Sequence, residues 1–154
     1  MKYNKIIFVS LDNTYTSVVA EHIALKYLKE KKENISVASR GIVVLFEEPA
    51  NPKGIAIAKS KDINLEEHKS RVLEENDFDM DVIMIAMTQK IKSDIYDLFK
   101  NALNVYTLKE FLGGFGDIET PYGKSLSEYS NSFFEIEKLT KDLIDKLIIM
   151  EDEL

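Results

Sequence analysis

Ser10-Leu11-Asp12-Asn13-Thr14-Tyr15-Thr16-Ser17 gathers four aliphatic hydroxyls, one carboxylate and one amide into eight residues. Hydroxyls can attack an ester or phosphoryl centre if a base takes the proton. A carboxylate can be that base, or a metal ligand. The segment follows Ile6-Ile7-Phe8-Val9, which reads as a buried strand, and precedes an amphipathic helix. Strand, tight polar loop and helix make an anion site, because free backbone N–H groups collect at the helix N-terminus. Yet the loop has no cysteine, histidine or arginine. It is the frame of a catalytic loop without the groups that do chemistry on a bound anion.

The rest of the chain must position that loop. Ala20, Ile23, Ala24, Tyr27 and Leu28 follow the spacing of a one-faced helix that ends in the solvated run Lys29–Asn34. Ile35–Ala38 alternates like a short strand. Ser39–Pro52 reads as a long loop punctuated by Gly41, Pro49 and Pro52. Helices are predicted over Lys53–Lys61 and Leu65–Asn76. Asp81–Met87 is apolar on both faces and is the clearest buried strand. Thr88 caps a helix over Gln89–Lys100, Asn104–Tyr106 forms a last strand, and Gly113–Gly123 is a second long loop. A final helix spans Ser127–Met150, with Ile136, Leu139, Leu143, Leu147 and Met150 on one face and a frayed acidic tail, Glu151–Glu153. Strands alternating with helices imply an α/β fold with a parallel sheet covered on both faces. In such sheets ligands bind beyond the strands' C-terminal ends, where the first loop lies.

With 154 residues and 45% hydrophobic content, residues 1–154 read as one domain with a sizeable core. The net charge of −7 argues against non-specific binding to nucleic acid or an anionic membrane. No apolar run is long enough to cross a bilayer, and the few apolar residues before Ser10 are too short for a signal peptide, so a cytoplasmic protein is expected. The absence of cysteine excludes thiol catalysis, thiolate metal sites and disulfides, and His22 and His68 are too few for a histidine-rich centre. No cofactor is expected.

Ser10–Ser17, followed by Ala20-Glu21, resembles the loop Cys-x-Gly-Asn-x-x-Arg-Ser and the following helix of the low-molecular-weight protein-tyrosine phosphatases. The similarity continues through Ser39-Arg40-Gly41, Pro49-Ala50-Asn51-Pro52, Asp62–Arg71 and Asp117–Gly123, the last resembling the family's Asp-Pro-Tyr loop. Each piece is weak alone; their order and spacing carry the resemblance over nearly the whole chain. It implies a three-layer α/β/α fold with a four-stranded parallel sheet. It also implies a cysteine nucleophile, a phosphate-binding arginine and an aspartic general acid at the positions held here by Ser10, Thr16 and Thr120. The loop glycine is replaced by Asp12; Asn13 and Ser17 keep the family's identity.

These departures matter physically. A cysteine with a pKa of about 8.5 is readily held as thiolate by N–H donors, whereas a serine hydroxyl needs a base. Thr16 cannot replace a planar, bidentate phosphate clamp. Losing one transition-state donor costs about 10²–10³ in rate, and losing a general acid about 10²–10⁴. A carboxylate at position 12 lying ~5 Å from a phosphate would repel each unit of its charge by about 3 kcal/mol at an effective dielectric of ~20. Departures at Ser10, Asp12, Thr16 and Thr120 together point to natural divergence rather than a trapping mutant.

Several residues have plainer readings. Ser10–Ser17 can be a capped turn with Thr16 or Ser17 as N-cap. Asn13 suits a position with φ > 0. Arg40 either leans into the loop or pairs with Asp12 or Glu47. His68 and Arg71 read as a packing pair beneath the loop, His22 as a half-exposed helix residue, and Asp117 and Glu119 as loop solvating groups or stand-ins for Thr120. Ile42–Phe46 is either tucked under the long loop or an exposed sticky patch, with the tucked form expected. Leu45 and Tyr122 join Ser10, Leu11, Asp12, Asn13, Thr14, Tyr15, Thr16 and Ser17 as candidate binding residues.

Three functions compete. The leading one is a silent phosphatase relative that recognises a protein or peptide through the Ile42–Phe46 and Tyr122 region, as a monomer or weak homodimer. The second is an active phosphatase or esterase using Ser10 or Asp12. The third is a sensor of a neutral polar ligand, bound by a loop rich in hydrogen-bonding groups but without positive charge.

Overall fold

Residues 3–152 are described by a computed structural model. Its centre is a four-stranded parallel sheet in the order β2-β1-β3-β4. The strands are β1 (Lys5–Ser10), β2 (Ser36–Gly41), β3 (Val82–Ala86) and β4 (Val105–Thr107). Ile6–Val9 and Val82–Ala86 are buried on both faces, which is why they read as continuous apolar runs. The chain leaves β1 for β2 on one side, and β3 pairs with β1 on the other. The C-terminal end of β1 is therefore the sheet's switch point.

Helices cover both faces. On one, α1 (Thr16–Lys31), α2 (Pro52–Lys59) and α5 (Leu126–Asp152) pack with Ile6, Phe8, Ile83 and Ile85. On the other, Ile91 and Ile95 of α3 (Gln89–Leu98) pack with Ile7, Val9, Met84 and Ala86. The α/β architecture expected from the sequence is present. Along α5, the buried Tyr129, Phe133, Ile136, Thr140, Leu143, Ile144 and Leu147 recur every three or four residues, as a one-faced helix requires. Leu139 and Met150 are partly buried beside them. None of these helices is long and apolar enough to cross a membrane.

Five expectations need correction. Leu65–Asn76 is not a helix, because its backbone pairs with distant chain instead of with itself. Ser70 N–H bonds the Glu48 carbonyl, and Gly41 N–H and carbonyl bond the Arg71 carbonyl and Leu73 N–H. Only Glu75–Asp77 makes a 3₁₀ turn. Second, neither Thr16 nor Ser17 caps α1. The cap position is Tyr15, which makes no side-chain cap bond, and the Ser17 hydroxyl is spent inside the loop.

Third, Ile42–Phe46 is not tucked. Ile42 packs on the core of the second face, but Leu45 is 87% and Phe46 69% exposed. Fourth, Arg40 meets neither the loop nor Asp12 nor Glu47. Its guanidinium donates to both carboxylate oxygens of Asp77, at 3.2 and 3.3 Å, and to the Ser39 carbonyl at 2.8 Å. Fifth, Glu151 and Asp152 continue α5 instead of fraying, while Glu153 lies outside the described residues. A short helix, α4 (Leu108–Phe111), is an addition to the expected elements. The Thr107-x-x-Glu110 capping box is the sequence signal for it, and both of its reciprocal bonds form.

Candidate functional site

The loop Leu11–Tyr15 bridges the end of β1 and the start of α1. Asn13 is its keystone, with no exposure and φ of 58°. A short polar side chain tolerates that left-handed conformation and here uses every hydrogen-bonding group it has. Its amide nitrogen donates to the hydroxyls of Ser17 and Ser39, both at 2.9 Å. Its side-chain oxygen accepts the Arg71 N–H at 2.9 Å. Its carbonyl bonds His68 Nε2 at 2.7 Å. Ser39 in turn donates to Glu21 at 2.6 Å. Burial lowers the His68 pKa below its ordinary 6.5, partly opposed by the bond to Asn13. The neutral imidazole therefore donates to that carbonyl. His68 is thus structural, as the sequence suggested, while Arg71 contributes its backbone.

Ser10 sits at the cleft floor, 7% exposed. Its hydroxyl lies 2.7 Å from that of Ser17 and accepts the Asn13 N–H at 3.1 Å. Both serine oxygens accept from Asn13, and either hydroxyl can supply the proton between them. The Asn13 N–H on the Ser10 oxygen would favour an anion there. Among the described residues, however, no carboxylate or imidazole hydrogen-bonds Ser10 to remove its proton. The frame of an activated nucleophile persists without an activator.

Asp12 turns inward. One carboxylate oxygen accepts the Thr14 N–H at 3.1 Å and the Thr14 hydroxyl at 2.7 Å. The other accepts the Tyr122 hydroxyl at 2.9 Å. The loop therefore carries its own anion. Backbone N–H groups of Leu11, Asp12 and Thr16 have no partner among the described residues, so some of the cradle remains open.

A cleft of about 400 Å³ lies over this floor, lined by Ser10, Asp12 and Thr16 below and by Glu119, Thr120 and Tyr122 at the side. The Gly113–Gly123 loop is anchored there by the Ile118 N–H on the Met87 carbonyl at 2.9 Å. Thr120 thus does face Ser10's cleft, but it brings no titratable group. Asp117 also lines the cleft, although one of its oxygens caps α3 through the Gln89 N–H at 2.8 Å. Lys90 and Asp94 complete the far wall as an i,i+4 pair at 3.2 Å. The sequence reading missed both, and their spacing on α3 was the available signal. Among the described residues, no three histidine, aspartate or glutamate side chains gather as metal ligands.

The candidate binding residues therefore divide. Ser10, Leu11, Asp12, Thr16 and Tyr122 line the cleft. Asn13 and Ser17 are fully buried beneath it, and Thr14 faces Asp12. Tyr15 points into the core. Its hydroxyl donates to the Tyr129 carbonyl at 3.1 Å, its ring meets that of Tyr129 edge-on, and burial pushes its pKa up to about 12. Leu45 stands outside the cleft, exposed.

Comparison with known proteins agrees with this geometry. The family described as low molecular weight phosphotyrosine protein phosphatase matches residues 5–152. A low-molecular-weight protein-tyrosine-phosphatase, PtpB of Staphylococcus epidermidis, is 32% identical over 143 residues, covering 93% of this chain and 96% of that protein. A protein-arginine-phosphatase of Bacillus subtilis is 31% identical over 144 residues, covering 92% and 95%. A solved structure of the YwlE arginine phosphatase, a cysteine-to-serine mutant with a phosphorylated active-site serine, superposes with a TM-score of 0.87 at 32% identity, covering 93% of this chain and 95% of that one. With its sheet order, its strand–loop–helix at the switch point and this near full-length similarity, the chain belongs to the low-molecular-weight protein-tyrosine phosphatase family.

Proposed function

We propose that this chain is a catalytically silent member of its family that recognises another protein through the region of the old site. The observation that carries this reading is the inward-turned Asp12 carboxylate in a loop with no cation. An incoming phosphate meets a negative group where the resemblance implies a glycine, and Thr16 where it implies an arginine. Lys90, the one ammonium on the cleft wall among the described residues, is already paired with Asp94. The test is turnover of an aryl phosphate by clean protein. Background rates are expected, and the combined change Ser10→Cys, Asp12→Gly, Thr16→Arg, Thr120→Asp is expected to create activity. Wild-type turnover well above buffer would overturn the reading.

A second reading is favoured by one observation. In the arginine phosphatase mutant, a serine in the active site carries phosphate. Ser10, which accepts the Asn13 N–H and is hydrogen-bonded to the Ser17 hydroxyl, would by analogy be a phosphoryl acceptor. Incubation with an aryl phosphate followed by intact-mass measurement decides it: a phosphate adduct that disappears in Ser10→Ala supports acceptor chemistry, and an unchanged mass removes it.

A further inference from the structure

The cleft has the wrong charge for an oxyanion and the right groups for a cation. Its lining holds the carboxylates of Asp12, Asp94, Asp117 and Glu119 against the single ammonium of Lys90. Three of these carboxylates are engaged, by Thr14 and Tyr122, by Lys90, and by the N-terminus of α3. Glu119 is exposed and unpartnered among the described residues. The acids are spread along the walls and do not converge as metal ligands do. At the floor lies a second, independent feature. Thr16 is 2% exposed and lines the cleft, and its hydroxyl makes no hydrogen bond among the described residues. This hydroxyl opens onto the cleft instead of being sealed in the core, and its lone pairs can accept from a cationic donor there.

The rim is apolar. Leu11 is 54% exposed, and the Val43 N–H bonds its carbonyl at 2.8 Å, which sets the Val43–Phe46 segment beside the mouth. Leu45 and Phe46 project from that segment, and Glu47 and Glu48 follow it. An acidic partner would be repelled here. A cationic side chain flanked by apolar residues complements both the cleft and its rim.

We infer that the cleft takes an arginine or lysine side chain, presented by an extended segment of another protein whose apolar residues cover Leu11, Leu45 and Phe46. The inference rests on the silent-recognition reading and names its partner's chemistry. The long aliphatic stem of either residue passes the apolar rim while its charged head reaches Glu119 and the Thr16 hydroxyl.

The test is fluorescence anisotropy of the full chain with labelled pentapeptides, apolar except for a central arginine, lysine or glutamate. Arginine and lysine peptides are expected to bind saturably, and the glutamate peptide is not. Glu119→Gln is expected to weaken binding about threefold, as for a solvent-accessible ion pair, and Glu119→Lys more. Thr16→Val is expected to weaken binding without lowering the melting temperature, and Leu45→Ser with Phe46→Ser to weaken it while keeping the charge preference.

Equal binding of the glutamate peptide, no binding of any peptide, or indifference to Glu119→Lys would overturn the inference. Arginine amide binding as tightly as the peptide would also overturn it, in favour of a small free cation. Aryl phosphate turnover is measured on the same sample. A silent protein that binds no peptide fails this inference alone, whereas turnover fails the reading beneath it.

Discussion

The Tyr122 hydroxyl donates to the Asp12 carboxylate at 2.9 Å, joining the two loops that flank the cleft across 110 residues of sequence. Burial, and then this bond, raise the Tyr122 pKa above its ordinary value, so the phenol stays a donor throughout the neutral range. The bond fixes a negative charge on the cleft floor and ties the Gly113–Gly123 loop over it.

Asp12→Gly is therefore expected to have two opposite effects. Without ligand it removes three hydrogen bonds and lowers stability by about 1–3 kcal/mol. With millimolar phosphate it regains stability, because the open N–H groups of the loop no longer face a carboxylate. Thermal melting with and without phosphate checks this. The wild-type melting temperature should be indifferent to phosphate, and a wild type that phosphate stabilises as much as the variant would refute the role given to Asp12.

Asn13→Ala is expected to be far more damaging than an exposed substitution. It leaves the Arg71 N–H without its acceptor, withdraws the donors to Ser17 and Ser39, and puts an alanine at φ of 58°. A loss of about 3 kcal/mol or more follows from the unmade bonds and the left-handed backbone. Urea denaturation measures it, and a loss below about 1 kcal/mol would show that the loop is held by something else.

Arg40 and Asp77 form a nearly dry ion pair, with side chains 8% and 11% exposed. Removing one partner strands the other's charge, so Arg40→Ala is expected to cost about 3–5 kcal/mol. The double variant Arg40→Met with Asp77→Asn removes both charges, and the amide introduced in place of the Asp77 carboxylate keeps an oxygen that can cap the 3₁₀ turn. This double variant should be clearly more stable than Arg40→Ala. A double-mutant cycle read by denaturation decides the point.

The His68 pKa is lowered in the folded protein, so the unfolded chain binds a proton that the folded chain resists. By linkage, this contribution to stability is fully present above the unfolded value of 6.5. It is lost as pH falls from 6.5 through the lower folded value. Melting temperatures measured from pH 7.5 down to about pH 5 should decline, and His68→Gln, which keeps a neutral donor, should flatten that decline. The same slope in wild type and variant would place the pH sensitivity elsewhere.

The sheet and its helices were legible because local pattern and tertiary environment agree. Asp81–Met87 is apolar throughout because β3 is buried on both faces, and Thr88 reads as a cap because it is one. Asn13 was legible for its backbone angle but not for its network, whose partners lie at positions 17, 39, 68 and 71. Leu65–Asn76 misled for the same reason: its pairing partners are Gly41, Glu48 and Asn13, which no window of local sequence contains. Arg40 chose Asp77, 37 residues away, over nearer-seeming acids. The direction of the Asp12 side chain and the exposure of Leu45 depend on Tyr122 and on the path of a loop, and neither has a sequence period.

Asn13 has a further consequence, for dynamics. It links the β1–α1 loop, the middle of β2, the first turn of α1 and the strand-like stretch through Arg71 at one buried point. These segments cannot exchange their amide protons independently, since releasing any one means breaking bonds shared with the rest. Hydrogen exchange at the Asn13, Gly41, Arg71 and Leu73 amides should therefore proceed through a single opening event, with similar protection in all four. What this buried asparagine governs is the cooperativity with which the cleft opens.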